Sequence, residues 1–264
     1  MNFGVLIGFS AGLGVILWNI FGQTSGKAFV NSHGALVVLG GTMAAMLINT
    51  QLSLLGDALV ALFRVLIPEK RVNSEEALAE VVRLARLAQS GGGLLALRDE
   101  GRAMMEGFSN RAIMVAISTG EVAETRRIME TEIKHRRIRR QETANVWRTV
   151  SVLFPMFGIM GTLLGMIQVL STLSDPSKMG PYMALALSSA FIGISMANLL
   201  CVPVAGQIRS EAMAETHTLE ILLEGILDIA AGKPPYLVEL HLAAYSEQRR
   251  LEMSSGLRST ETPA

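Results

Sequence analysis

Four apolar runs, each long enough to cross a bilayer as a helix and nearly free of charge, constrain this chain more than any other feature. A helical span needs about 20 apolar residues, because a rise of about 1.5 Å per residue must cover about 30 Å of hydrocarbon. The first run extends from Phe3 to about Phe21 and the second from Gly34 to about Leu66, with Asp57 and Arg64 its only charges. The third lies between Val146 and Leu173 and the fourth between Pro181 and Ile208. Half of the 264 residues are hydrophobic, so the bilayer rather than a soluble core is the expected solvent for these runs. No lysine or arginine precedes the first run and no small-residue cleavage site is evident, which reads as a retained span. The second run exceeds the hydrocarbon thickness, so its later part is expected to project into the cytoplasm as a helix until Pro68 stops it. Ser174 to Gly180, with its Asp-Pro pair, reads as a turn.

The basic residues set the orientation. Only Lys27 lies between runs one and two and only Lys178 between runs three and four, against 21 of 23 elsewhere. By the positive-inside rule the remaining segments and both termini are cytoplasmic. The fold class expected is therefore an all-α integral membrane protein with four transmembrane helices. Residues 1–66 hold the first two spans, 67–145 a helical cytoplasmic domain, 146–208 spans three and four, and 209–264 a cytoplasmic C-terminal helix and a disordered tail. The cluster Lys134, His135, Arg136, Arg137, Arg139 and Arg140 just before span three reads as a topology anchor touching anionic headgroups. Net charge is zero, which gives no sign of nucleic-acid binding. Cys201 is the single cysteine, so no disulfide forms within one chain.

Within the cytoplasmic segment, Asn73 with Glu76 reads as an N-cap and its box partner. Leu78, Val81, Val82 and Ala85 then recur on one helix face. Gly91 to Gly93 break that helix, a second is expected from Leu94 to about Met105, and a third run from about Val122 leads to span three. After span four, Leu219, Leu222, Leu223 and Ile226 mark a further helix that Gly232 and the following prolines end.

No Asp, Glu, Lys, Arg or His falls in the middle of any span, although such groups are the usual marks of proton relays and ion sites. What spans three and four offer is a small and polar face: Gly158, Gly161, Thr162 and Gly165 on one, Ala186, Ser189, Gly193 and Ala197 on the other. Small residues at this spacing allow close helix packing, and hydroxyls can either line a wet path or bond back to their own helix. Pro155 and Pro203 each remove a backbone donor near the cytoplasmic end of a span, a matched pair of kinks or hinges. Nucleophile elbow, zinc-protease, P-loop and paired-carboxylate patterns are all missing, so the reading is not enzymatic and no cofactor or metal is expected.

The stretch from Pro155 to Gly165 (PMFGIMGTLLG), the stretch from Leu173 to Leu187, and Asn198 with Pro203 resemble the MotA/PomA stator subunits of the bacterial flagellar motor, within the MotA/TolQ/ExbB proton-channel group. Leu39 to Thr42, Gly92 to Leu97 and Leu223 to Ile229 extend the resemblance over nearly the whole chain. The resemblance implies a multi-pass protein of the bacterial inner membrane. Several copies would ring a dimer of a MotB/PomB-like partner, a single-span peptidoglycan-binding subunit that supplies the ion-binding aspartate. Torque would pass to the rotor switch protein FliG. It also implies that Pro155 and Pro203 couple ion flow to the cytoplasmic domain and that Thr162 faces the partner aspartate.

Two departures stand out. The rotor-facing arginine position falls on Ser90 and the acidic one on Arg98, leaving Arg86, Asp99 and Glu100 as replacement candidates for a rotor interface. Sodium-driven members of the resembled family carry adjacent threonines where this chain has Ser189 and Ala190. A sodium ion wants several oxygen ligands and a proton only a carboxylate and a water path, so the transported ion is expected to be H+ rather than Na+. An ExbB/TolQ-type energiser of another envelope system and a passive scaffold stay open as alternatives.

Overall fold

The computed structural model describes residues 32–66, 74–98 and 105–244, with isolated helical positions between Ile7 and Trp18. The expected first span falls largely outside the described residues, as do Pro68, Asn73, Asp99, Glu100 and the tail from residue 245. Among the described residues all regular structure is helical: α1 (Ser32–Asn49), α2 (Leu52–Leu66), α3 (Ser74–Gly91), a 3-10 turn (Leu94–Leu97), α4 (Phe108–Thr119), α5 (Val122–Ser171), α6 (Pro176–Ser195), a π-helical turn (Met196–Cys201), α7 (Val202–Ala230) and α8 (235–244). Three stretches among the described residues are long and apolar enough to cross a membrane: α1, the apolar part of α5, and the continuous helical run that begins with α6.

Several elements differ from the sequence expectation. The run from Gly34 to Leu66 is two helices, parted at Thr50 and Gln51, where Thr50 N–H still reaches the Met46 carbonyl but Leu54 N–H turns to Gln51. Apolar residues continue on both sides of the polar Asn49-Thr50-Gln51, so hydropathy alone runs the two together. Beyond Gly93, only Leu94–Leu97 coils before the described chain pauses, and a helix absent from the sequence reading follows over Phe108–Thr119. Its ends are Gly107 and Gly120, both at positive φ, the left-handed conformation that suits glycine. The helix that carries the expected fourth span begins before Pro181: Asp175 caps α6 by accepting from Ser177 N–H, and Pro176 occupies the first turn, where its missing donor is harmless. Pro235 likewise opens α8, which carries Val238 and Leu242 into the core one helical turn apart.

The chain divides into two compact units, residues 1–69 with 140–210 and residues 70–139 with 211–264. The first has a core of Val38, Met46, Ala58, Trp147, Phe154, Cys201 and Ile208 among others. Its Trp147 donates the indole N–H to the Ala58 carbonyl at 3.0 Å, tying α5 to α2 where both groups are buried. The second is built on large side chains, with Leu84, Leu97, Phe108, Ile113, Met129, Leu219, Leu222 and Ile226 fully buried. Ion pairs surround that core. Arg126 is held above its usual range chiefly by its hydrogen bond to Glu224, 2.8 Å from Nη2 to Oε2. Arg136, expected among the headgroup-touching cations, instead bonds Glu132 at 3.1 Å and Glu106 at 3.3 Å within this unit. Asp228 is buried and accepts from Lys233 Nζ at 2.7 Å while pairing with His241 Nδ1 at 2.6 Å, which fastens α8 to the end of α7.

Candidate ion-path site

In the first unit, α5 and α6 approach until their backbones touch. A Cβ on Gly158 would lie 3.1 Å from the Ser189 carbonyl oxygen and 3.4 Å from Ala190 Cα. One on Gly193 would meet the Phe154 carbonyl oxygen at 2.5 Å, and one on Gly165 would meet Ala186 N at 2.8 Å. Three turns of each helix therefore depend on glycine for this spacing, as expected where helices associate without a hydrophobic driving force. α1 packs on the same α6, with Gly34 against Ser188 and Ser189 and Gly41 against the Phe157 ring of α5.

The three candidate ion-path residues fall in different places. Thr162 is half-exposed, its hydroxyl donating to the Ile159 carbonyl of its own helix at 2.6 Å. Ser189 is fully buried between helices, and its hydroxyl donates to the Leu185 carbonyl at 2.8 Å. Ala190 is half-buried and offers no oxygen beyond its backbone. Thr162 thus carries the one side-chain oxygen of the three that reaches an open surface. A back-bonded hydroxyl keeps its lone pairs free, so Thr162 can still accept a hydrogen bond from water or a protonated carboxyl.

The two prolines differ as well. Pro155 sits half-buried inside the unbroken α5, where it withholds a donor from the carbonyl of Ser151. Pro203 is exposed and follows the π-helical turn directly, so the wider turn accommodates the missing donor. Asn198, inside that turn, donates Nδ2 to the Ile194 carbonyl at 3.1 Å and takes up part of the helix's altered bonding. The π turn had no sequence signal beyond Asn198 five residues ahead of a helical proline.

The described rotor-interface candidates lie in the second unit. Arg86 and Ser90 line an open groove on α3 with Leu78, Val82, Leu87 and Glu239. Ser90 is exposed and bonds back to the Leu87 carbonyl at 3.2 Å, and Arg98 is exposed just after the 3-10 turn. Glu80 is buried beneath the same helix and is satisfied by Arg83 through contacts of 2.9 and 2.7 Å. Asp99 and Glu100 lie outside the described residues. Among the described residues no cluster of His, Cys, Asp or Glu could hold a metal ion.

The sequence profile of the MotA/TolQ/ExbB proton channel family matches residues 98–221, a range that contains Pro155, Thr162, Ser189, Ala190 and Pro203. Over that range the chain is similar to this proton channel family. Similarity to individual proteins extends over nearly the full length. Motility protein A of Aquifex aeolicus is 29% identical, with 92% of this chain and 96% of that one covered. Chemotaxis protein PomA of Vibrio alginolyticus is 27% identical, with 96% and 99% covered. The flagellar MotAB stator complex from Bacillus subtilis contains a chain of the same fold at 25% identity and a TM-score of 0.77, covering 94% of this chain and 98% of that one.

Proposed function

We propose that this chain is the ion-path subunit of a flagellar motor stator, which passes protons beside a MotB-like partner and converts their flow into torque on the rotor. The observation that carries the reading is the wall formed by the apolar stretch of α5 after Val146 against α6, glycine-packed, free of carboxylates and presenting the Thr162 hydroxyl at an open surface. A channel wall without an ionisable relay needs its titrating group from another chain. A partner aspartate opposite Thr162 supplies it. The full-length likeness to motility A proteins and to a stator complex supports the same assignment.

The finer features of the reading follow. Four spans cross the bacterial inner membrane with both termini in the cytoplasm, and several copies ring a partner dimer. Residues 67–145 and 209–264 lie in the cytoplasm. There the exposed Arg86, Ser90 and Arg98, with Asp99 and Glu100, meet a FliG-like rotor protein. Pro155 and the π turn before Pro203 interrupt the backbone ladder towards the expected cytoplasmic ends of spans three and four, which suits them to bend as the ion site changes charge. The coupling ion is the proton. With Ser189 buried and Ala190 lacking a hydroxyl, the side-chain oxygens near the path are too few for a sodium shell.

Ion flux into vesicles tests both parts. The chain alone should give no flux above background, the chain with its partner should acidify the vesicle lumen, and replacing sodium by potassium at fixed pH should leave that rate unchanged. Flux without a partner would remove the stator reading, and flux restored by sodium alone would remove the proton.

A further inference from the structure

Ser189 fills a gap that two other helices leave for it. A Cβ on Gly161 of α5 would lie 2.5 Å from Ser189 Cβ and 2.6 Å from its Oγ. A Cβ on Gly34 of α1 would lie 2.7 Å from the same Oγ, with Ser188 Oγ at 3.3 Å and Leu185 Cδ1 at 3.4 Å. The side chain is fully buried, and its hydroxyl is already bonded to the Leu185 carbonyl. Nothing in that arrangement presents the oxygen to an ion. Size is what the pocket between Gly34 and Gly161 constrains, since both neighbours are already as small as a residue can be.

We propose that Ser189 is a positioning residue for ion passage: it sets the spacing of α5 on α6, with α1 behind, and so holds Thr162 on the open side of α5. Thr162 follows Gly161 directly, about 100° further round the helix. Gly161 against Ser189 therefore fixes where the Thr162 hydroxyl points. A larger residue at position 189 pushes Gly161 away and displaces Thr162 with it; loss of the hydroxyl alone does not. This inference rests on the reading of Thr162 as the ion-path hydroxyl.

The test uses the full chain with its own partner in membrane vesicles, as the series Ser189→Ala, Ser189→Thr and Ser189→Val. Three quantities are read: the amount of partner that co-purifies, proton flux, and the rate at which a charged methanethiosulfonate reacts with a Thr162→Cys variant in a Cys201→Ala background. Ser189→Ala should keep wild-type flux and an unchanged labelling rate. Ser189→Thr, which retains the hydroxyl and adds a methyl group, should lower flux by about tenfold or more, because overpacking shifts the helices and a misplacement of about 1 Å can cost about 100-fold at a reacting site. It should also shift the labelling rate, a change that a loss of complex abundance alone does not produce. Gly161→Ala should behave as Ser189→Thr does, and adding Ser189→Gly to it should restore flux. Should Ser189→Thr fail to assemble, Ser189→Ala and the Gly161→Ala, Ser189→Gly pair carry the test. Lost flux in Ser189→Ala with flux kept in Ser189→Thr would make Ser189 a ligand and overturn the proposal, as would a labelling rate indifferent to the size of residue 189. If Thr162→Ala leaves flux intact, the ion-path reading fails, and the labelling result still decides what Ser189 does to position 162.

Discussion

The two units of the chain solve the same packing problem with opposite materials. In the first, α5 and α6 are held close by side chains that are missing: Gly158, Gly165 and Gly193 let backbone touch backbone, and Gly161 makes room for the Ser189 side chain. Large residues such as Met156, Ile159, Leu163 and Ile167 face outward. In the second, Phe108, Leu84, Leu222 and Ile226 are fully buried, and charged residues such as Arg126 and Arg136 lie around them. Water drives the second arrangement, because each buried leucine or phenylalanine gains roughly 1.5–3 kcal/mol by leaving it. Lipid offers no such gain for bringing two apolar faces together, so helix association there rests on close van der Waals contact and small residues. A large apolar residue is therefore critical in the second unit's core and replaceable on the outward face of the first unit's helices.

That contrast predicts a ranking. The largest effect should come from Phe108→Ala, which removes a fully buried ring from the second unit. The loss expected is about 3–5 kcal/mol, read as a fall in the thermal midpoint of the purified complex. Leu163→Ala in the first unit, where the side chain is 60% exposed, should barely move that midpoint. A large effect at Leu163 would show that a partner covers it. Next comes Gly193→Ala. The added carbon would meet a backbone oxygen, Phe154 O, at 2.5 Å, and a carbonyl cannot rotate aside as a side chain can. An overpacking cost of about 1–3 kcal/mol should appear as lost swimming and less assembled complex. Normal motility in Gly193→Ala would break the claim that missing side chains hold the first unit together.

Much of this contrast was legible in the sequence, and the exceptions have physical causes. Glycines at three- and four-residue spacing announced the α5 and α6 contact, and the leucine pattern from Leu219 to Ile226 announced the second core. The role of Ser189 was not legible. A serine on a small face can point to a path or into a neighbour, and the outcome depends on Gly34, which is 155 residues away in sequence. α4 escaped because twelve residues between two glycines carry too short a period to stand out. The break at Thr50 escaped because no glycine or proline marks it. Arg136 was misread because a basic run beside a span resembles a headgroup anchor, and only folding brings Glu106 and Glu215 near it. Thr162, Ser189 and the two prolines stand out as candidates in the sequence, but whether each hydroxyl is open or buried is set only by the packing of the helices.

Between these extremes lies Trp147→Phe, which tests a directional contact between two helices in the first unit's core. A six-membered ring stays, the pyrrole half of the indole goes, and the Ala58 carbonyl loses the indole donor at 3.0 Å. That carbonyl keeps its own helix's hydrogen bond inside α2, so the loss is the net worth of one hydrogen bond, about 0.5–1.5 kcal/mol, and the measurement is the thermal midpoint set beside Gly193→Ala. If Trp147→Phe proved the more damaging of the two, hydrogen bonding rather than close approach would be what joins the first unit's helices.

The smallest effect should come from Arg126→Gln, which removes the tie between α5 and α7 at Glu224. The side chain is 40% exposed, so solvent screens the pair and its worth is about 0–1 kcal/mol, less at high salt. The pH dependence is fixed by sign. The hydrogen bond to Glu224 raises the folded value for Arg126 above its ordinary one. The stability it adds is thus fully present below the unfolded value and is lost only as pH rises through the folded value. Both lie far above the range in which the complex can be studied. Between about pH 6 and 9 the difference in thermal midpoint between wild type and Arg126→Gln should stay flat, since arginine remains charged throughout. It should shrink as salt is raised. A difference that fell steadily over that pH range would mean that the second unit leans on this ion pair in a way its leucine core does not require, and the division of labour between the two units would need redrawing.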